Sequence, residues 1–252
     1  MPPVVTTAIV LHAFNYSESS RILRLATRDG GVQSVLARGA RASQRRFGSA
    51  VDLFAEGEVQ YEARAGRDLH TLSRFDVTRS RAALGTSLAR FEGASALADV
   101  MLRVAGDDDT PADAFDALRD GLDAIAEEVD ATVAAVQAIW RLLGAIGFTP
   151  ALDACVQCDR DLDLELDVAF HAESGGVLCA ECAGRVPSRR LPSTARQQIR
   201  IWLARLDDEI GDAGQGLDEL TVRAHRRLLR IFVHAHLTDG RPLRAFDAWA
   251  NE

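Results

Sequence analysis

Hydrophobic and polar positions follow two different periods along this chain of 252 residues. Residues 1–80 have the pattern of strands. Ala8-Ile9-Val10-Leu11 is a β-branched and aliphatic run, and Arg21-Ile22-Leu23-Arg24-Leu25 alternates with period two. Arg28-Asp29-Gly30-Gly31 predicts a turn, and Val32 to Ala37 predicts the return strand. Phe54 to Glu62 and Leu69 to Val77, parted by Ala65-Gly66-Arg67, supply two more strands. Five short strands without intervening helices predict a small closed barrel of the oligonucleotide/oligosaccharide-binding (OB) type. A small SH3-like barrel is the competing arrangement.

From about residue 81 the period becomes helical. Leu84, Leu88, Phe91, Ala94, Leu97, Ala98, Met101 and Leu102 fall on one face. Asp107-Asp108-Asp109-Thr110-Pro111 breaks the chain with N-cap chemistry. Helices are predicted over 112–128, 131–146, 193–210 and 217–237, the last two split by Gly211 to Gly216. The division expected is 1–80 for the barrel and 81–252 for the helices, with a small module inserted at about 150–190.

Composition changes this picture little. An apolar fraction of 47% is ordinary for a globular chain. The weakly charged stretch from Ala131 to Leu152 contains a central Arg141 and Pro150, so a buried helix fits it better than a membrane span. Met1 to Thr7 offers no basic segment followed by an apolar core, so no secretion signal is expected. Charge is more informative. The net −8 is uneven, because residues 1–80 carry 11 Arg and 8 carboxylates while the remainder carries 18 Arg and 29 carboxylates. Every basic side chain is arginine, whose planar fork suits phosphate contacts and base stacking.

All four cysteines lie in two Cys-x-x-Cys pairs, Cys155 with Cys158 and Cys179 with Cys182, separated by 20 residues. Two thiolates three residues apart in a tight knuckle can face one ion, and a second knuckle completes a tetrahedron. Two disulfides or unrelated free thiols are the alternatives, and disulfides are disfavoured in a reducing cytosol. Four thiolates close the coordination shell, so the expected zinc is structural. Between the knuckles, Leu162, Leu164, Leu166, Val168 and Phe170 alternate with Asp163, Glu165, Asp167 and Ala169 and predict a strand with one packed face. His171 beside a complete ligand set is expected to be an ordinary surface residue. The fold class expected is α+β: a five-stranded OB-like barrel, then a helical domain with an inserted four-cysteine zinc ribbon.

The segment from Leu142 through Gly147-Phe148-Thr149-Pro150 to Cys155-Val156-Gln157-Cys158 resembles the junction before the zinc module of bacterial RecO proteins. Phe170-His171-Ala172-Glu173-Ser174-Gly175-Gly176-Val177-Leu178-Cys179 is similar to the same family, as is Leu36-Ala37-Arg38-Gly39-Ala40-Arg41 with Phe47-Gly48. The resemblance covers essentially the whole chain. It implies a cytoplasmic, nucleoid-associated recombination mediator that binds single- and double-stranded DNA and anneals complementary strands. It also implies work with RecR and RecF to exchange single-strand-binding protein for recombinase. Some members lack the cysteines, which fits a scaffolding metal.

OB barrels hold nucleic acid with a basic groove and aromatic platforms. Arg38, Arg41, Arg45 and Arg46 form the densest basic cluster, in a stretch free of carboxylates from Gly30 to Val51, with Phe47 as a candidate stacking residue. Arg21, Arg24 and Arg28 lie on or near the second strand, and Arg64, Arg67 and Arg74 extend the surface. A second stripe, Arg223, Arg226, Arg227 and Arg230, runs along one helix opposite Leu220, Ala224, Leu228, Ile231 and Phe232. It is a candidate surface for DNA or for the acidic tail of single-strand-binding protein, or else a solvated helix face. His225, His234 and His236 accompany no nucleophile pattern or phosphate loop, so an enzyme is not expected. A zinc-containing scaffold whose barrel binds protein is the main alternative. A zinc-ribbon nuclease is a third.

Overall fold

Five strands close into a barrel: β1 (Val4–Asn15), β2 (Arg21–Thr27), β3 (Gly31–Ala37), β4 (Glu56–Glu62) and β5 (Leu69–Arg79), in spatial order β1-β2-β3-β5-β4 with β4 returning to β1. The computed structural model describes residues 3–40, 52–63, 66–104, 111–204, 217–238 and 242–251. Only β3 and β5 run parallel among these neighbours. β1 is long enough to serve two partners. Residues 4–9 pair with β4, residues 8–15 pair with β2, and a register shift between Val10 and His12 bends the strand. Ala8 and Val10 point into the barrel with Leu23, Leu25, Val35, Val59 and Leu72, whereas Ile9 and Leu11 point out into the helical core. Burial on both faces is why Ala8–Leu11 carries no alternation. At Gly57 the backbones of β4 and β5 meet so closely that a Cβ would lie 2.1 Å from the Asp76 carbonyl oxygen.

A 3₁₀ turn at Ala82–Gly85 leads to α1 (Leu88–Val104), α2 (Ala112–Glu127) and α3 (Ala131–Ala145). The Asp130 carboxylate caps α3 by accepting the Thr132 and Val133 amides at 3.0 and 3.1 Å. Buried residues lie on almost every side of α3, including Trp140, which accounts for the apolar stretch after Ala131. A small sheet of β6 (Val168–His171), β7 (Gly176–Leu178) and β8 (Arg189–Leu191) follows, in the order β7-β6-β8, with the one-turn helix α4 (Ala180–Ala183) between β7 and β8. The chain then returns to the bundle through α5 (Ser193–Leu203), α6 (Glu219–Leu237) and α7 (Arg244–Asn251). No helix is long and apolar enough to cross a membrane among the described residues.

Several expectations change here. Leu88 and Phe91 stand 70% and 41% exposed at the start of α1 rather than in the core. The strand expected from Leu162 shrinks to Val168–His171, because Arg196 claims the carbonyls of Leu162 and Asp163 that a ladder would have used. Leu166 is left exposed. Helix α7 extends the expected set. Leu243, Phe246, Trp249 and Ala250 bury at helical spacing, and the Asp99 carboxylate accepts the Ala245 and Phe246 amides at 3.0 and 3.3 Å. Burial pushes the Asp99 carboxyl up from its ordinary range.

Barrel and helices share one apolar cluster, to which Ile9, Leu11, Ala26 and Phe54 contribute from the barrel side. Arg81 lies at the seam with its side chain 1% exposed. Its Nε donates to Asp123 at 2.6 Å, one terminal nitrogen to the Phe54 carbonyl at 3.0 Å, and the other to Glu56 at 2.6 Å. Arg79 adds a second bond to Asp123 at 2.8 Å, and Arg28 pairs with Asp116 at 2.6 Å. Replacing Arg81 with methionine keeps the volume but leaves the sheltered Glu56 carboxylate without its cation and Asp123 with Arg79 alone. The unfolding free energy should fall by about 3 kcal/mol, read as a lower denaturant midpoint at unchanged m-value. A loss below about 1 kcal/mol would mean that apolar contact alone holds the seam.

Candidate metal centre and nucleic-acid interface

The two knuckles are built by local hydrogen bonds. The Cys155 amide donates to the Arg160 carbonyl and the Asp159 amide to the Cys155 carbonyl, turning the chain through Asp159 at φ 55°. The Val156 amide reaches the Val177 carbonyl at 2.9 Å and lays the first knuckle beside β7. Cys179 opens α4 and Cys182 lies on its single turn. The four sulfurs all fall within 4.8 Å of one another, a set that can hold a metal ion. Cys155, Cys179 and Cys182 are buried among Leu178, Val156 and Leu162, while Cys158 is exposed.

Electrostatics at the cluster favour a cation. Burial opposes ionisation of Cys155, but the amides of Cys179, Gln157 and Cys158 outweigh it and bring that thiol down to about 6. Cys182 is pushed up to about 12 by the Cys179 sulfur, by burial and by the sulfurs of Cys158 and Cys155. Sulfurs this close cannot all ionise without repelling one another, and a divalent ion between them would remove the conflict. His171 is no ligand: its Nδ1 meets the Ser174 hydroxyl at 2.8 Å and closes the β6–β7 turn.

The module is fastened to the bundle independently of the sulfurs. Arg196, fully buried, donates to the carbonyls of Leu152, Asp163 and Leu162 at 2.6, 2.7 and 2.9 Å. His236 bonds the Ala172 carbonyl at 2.7 Å, and His234 pairs with Asp247 at 2.5 Å to tie α6 to α7. His225 packs at a tilt against Trp202, with ring centroids 4.6 Å apart, and its Nε2 meets the Gln198 side-chain oxygen at 2.8 Å. The three histidines are tethers between elements.

On the barrel, Arg38 is exposed just beyond β3, and Arg21 opens β2 opposite Asn15 and Ala37. Arg24 sits opposite His12 and Ser34, half-buried, its Nε without a hydrogen-bond partner among the described residues. Burial alone lowers the Arg24 pKa. Arg41, Arg45, Arg46, Phe47 and Arg64 lie outside the described residues. Arg28 and Arg74 are engaged with Asp116 and Asp76.

Three aromatic residues that the arginine count overlooks lie at this end of the barrel, His12 directly opposite Arg24 and Tyr16 just past the end of β1. Phe14 is 42% and Tyr16 61% exposed, and the His12 and Phe14 rings lie 5.6 Å apart. Phe14 is registered opposite Ile22, one step from the Arg24 row, and it lines a shallow notch with Arg21, Asn15 and Leu53. The signal was present in the sequence: His12, Phe14 and Tyr16 are spaced two apart at the end of a strand.

The arginine stripe on α6 is not one surface. Arg226 is buried, its guanidinium 4.9 Å from the Trp249 ring centroid, because α7 packs over that side. Arg223 pairs with Glu219 one turn away, at 2.6 Å. Arg227 instead borders a groove of about 580 Å³ with Arg189 and Arg190, floored by Leu191 and Leu228. Leu220, expected in the core, is 76% exposed at its edge, and Ala224 is exposed as well.

The description "Recombination protein O N terminal" belongs to a family model that matches residues 1–81, and "Recombination protein O C terminal" to one that matches residues 85–243. A protein named DNA repair protein RecO from Anaeromyxobacter dehalogenans (strain 2CP-C) is 35% identical over 97% of this chain and 95% of its own. One of the same name from Rubrobacter xylanophilus is 33% identical over 90% of each.

Burial carries a pH dependence at His225, whose pKa falls from 6.5 to about 4. A depressed folded value means that the unfolded chain takes up this proton first. The contribution to stability is therefore complete above about pH 6.5 and lost as pH falls towards 4, a loss of about 3 kcal/mol near pH 4. His225→Gln should flatten that limb of the stability profile measured by denaturant unfolding. An unchanged limb would place the acid sensitivity elsewhere.

Proposed function

The chain belongs to the recombination protein O family, whose members are DNA repair and recombination proteins, and from that premise we propose that it is a recombination mediator. It binds single- and double-stranded DNA on its barrel and anneals complementary strands. With RecR and RecF it loads recombinase onto DNA covered by single-strand-binding protein. Residues 1–80 act as the DNA-binding domain, and residues 81–252, with the module at about 150–190, as the partner-binding domain. The work is binding and pairing in the cytoplasm, at the nucleoid, rather than bond making.

One observation carries the DNA reading. His12 and Phe14 stand exposed on the face of β1 that turns away from the barrel interior, with Arg24 directly opposite His12, Arg21 at the rim beside Phe14, and Tyr16 and Arg38 exposed just past the ends of β1 and β3. Stacking on aromatic rings accepts any base sequence, and arginine neutralises the phosphates. That combination suits a protein that must accept arbitrary strands. Arg41, Arg45, Arg46 and Phe47 continue the same acid-free stretch. The groove beneath Arg189, Arg190 and Arg227 suits an acidic tail with an apolar end, such as that of single-strand-binding protein.

The four-sulfur centre holds one structural zinc ion in this reading. A zinc–sulfur bond of about 2.3 Å places tetrahedral ligands about 3.8 Å apart. The Cys158 and Cys179 sulfurs are separated by 3.8 Å. A bound zinc ion crosslinks the two knuckles without exposing a reactive coordination site.

The test is annealing of complementary labelled oligonucleotides, with and without single-strand-binding protein, at two salt concentrations. Salt-sensitive acceleration without ATP is expected, whereas no acceleration and no strand binding would favour a protein-binding scaffold. Phe14→Ala should weaken single-strand binding about tenfold while leaving its salt slope intact. Arg21→Ala with Arg38→Ala should reduce that slope by about 1.4. An unaltered slope would move the DNA site elsewhere. For the metal, atomic emission should find one zinc per chain, lost in the Cys155→Ser, Cys179→Ser double variant together with several degrees of thermal stability. Full zinc content in that variant would rule out the ligand set.

A further inference from the structure

The four sulfurs of the metal centre are unequally sheltered. Cys155 is 0%, Cys179 5% and Cys182 7% exposed, beneath Leu178 and beside Val156 and Leu162. Cys158 is exposed, at the tip of the first knuckle between the exposed residues Gln157 and Asp159. A small polar oxidant therefore reaches one sulfur first. Metal-held sulfur is thiolate, the nucleophilic form, and a closed shell shields a thiolate only as far as the protein covers it.

We propose that Cys158 is an oxidant-sensitive site through which a hydroperoxide opens the metal centre, with Cys179 as its disulfide partner. The inference rests on the zinc reading above. The Cys158 thiolate attacks the terminal peroxide oxygen and breaks the O–O bond, forming a sulfenic acid and releasing alkoxide, or hydroxide when the oxidant is hydrogen peroxide. The Cys179 thiolate, 3.8 Å away across the two knuckles, then attacks that sulfur and displaces hydroxide. Two thiolates are oxidised to one disulfide, one peroxide is reduced, and the ion keeps its charge throughout. Only Cys155 and Cys182 then remain as ligands, too few to retain the ion.

The rest of the molecule is built to survive this loss. The bonds of Arg196 to the Leu152, Leu162 and Asp163 carbonyls, and of His236 to the Ala172 carbonyl, do not pass through the sulfurs. The barrel core is a separate cluster from the one around the cysteines. Oxidation therefore loosens the knuckles while leaving barrel and bundle folded, and reduction with zinc restores them.

The experiment starts from full-length protein whose zinc content has been measured. Hydrogen peroxide is titrated in, zinc release is followed with a chromogenic chelator, and disulfides are located by non-reducing peptide mass spectrometry. One zinc released per disulfide, with Cys158–Cys179 as the main crosslink, is expected. A dithiol with added zinc should reverse both. Cys158→His, which keeps a ligand but cannot crosslink, should release zinc about tenfold more slowly. A dominant crosslink that omits Cys158, or zinc retained until the protein unfolds, would overturn the proposal. Mapping on the unaltered chain decides this even if the variant fails to load metal. Absence of zinc before any peroxide is added would instead sink the metal reading, and this inference with it.

Discussion

Arg81 carries a charge that the fold has taken out of water, and that single burial fixes how the two halves of the chain meet. A guanidinium so enclosed is costly unless each of its edges finds an acceptor. Here the acceptors come from three places: Glu56 on a barrel strand, the Phe54 carbonyl beside the barrel, and Asp123 on a helix. Sliding the barrel against the bundle by one residue would strand the cation and both carboxylates. Apolar contact through Ile9, Leu11 and Ala26 supplies attraction without direction, and the Arg81 network supplies the direction. The strand positions that face the helices are committed to packing, whereas the aromatic residues at the far end of β1 stay exposed.

Arg196 plays the corresponding part at the cysteine module, with different chemistry. Its nitrogens address three backbone carbonyls, so the segment after the first knuckle is held as an irregular loop. Dipoles satisfy this cation where carboxylates satisfy Arg81, and burial accordingly lowers the Arg196 pKa. A small module with little apolar core of its own is fastened to the bundle by this guanidinium, while its four sulfurs, close enough to hold an ion, bring its two knuckles together.

Much of the architecture was legible because the residues obey simple periods. The barrel strands, the turn at Arg28–Gly31 and the buried helix at Ala131–Ala145 all follow from alternation, turn chemistry or a run of apolar residues. The cysteine spacing announced the cluster because ligand geometry constrains it so tightly. What stayed hidden depended on partners distant in sequence. Leu162 to Leu166 alternates like a strand, yet Arg196, more than 30 residues later, takes the carbonyls that a strand needs. Arg226 looked like its neighbours on the helix until α7 covered it with Trp249. Leu88, Phe91 and Leu220 have core spacing but lie near helix ends and stay exposed, although the edge of Phe91 meets the Phe54 ring. The aromatic face on the barrel was readable, but only by following side-chain direction along β1 beyond its apolar centre.

The central claim is that nucleic acid lies on the barrel face around Phe14 and that the metal module takes no part in holding it. Hydrogen–deuterium exchange with and without a saturating single-stranded oligonucleotide tests this directly. The account predicts protection over His12–Tyr16, Arg21–Arg24 and Ser34–Arg38, with Cys155–Cys182 unchanged. Protection confined to the cysteine module or to α6, with the barrel strands unaffected, would contradict it.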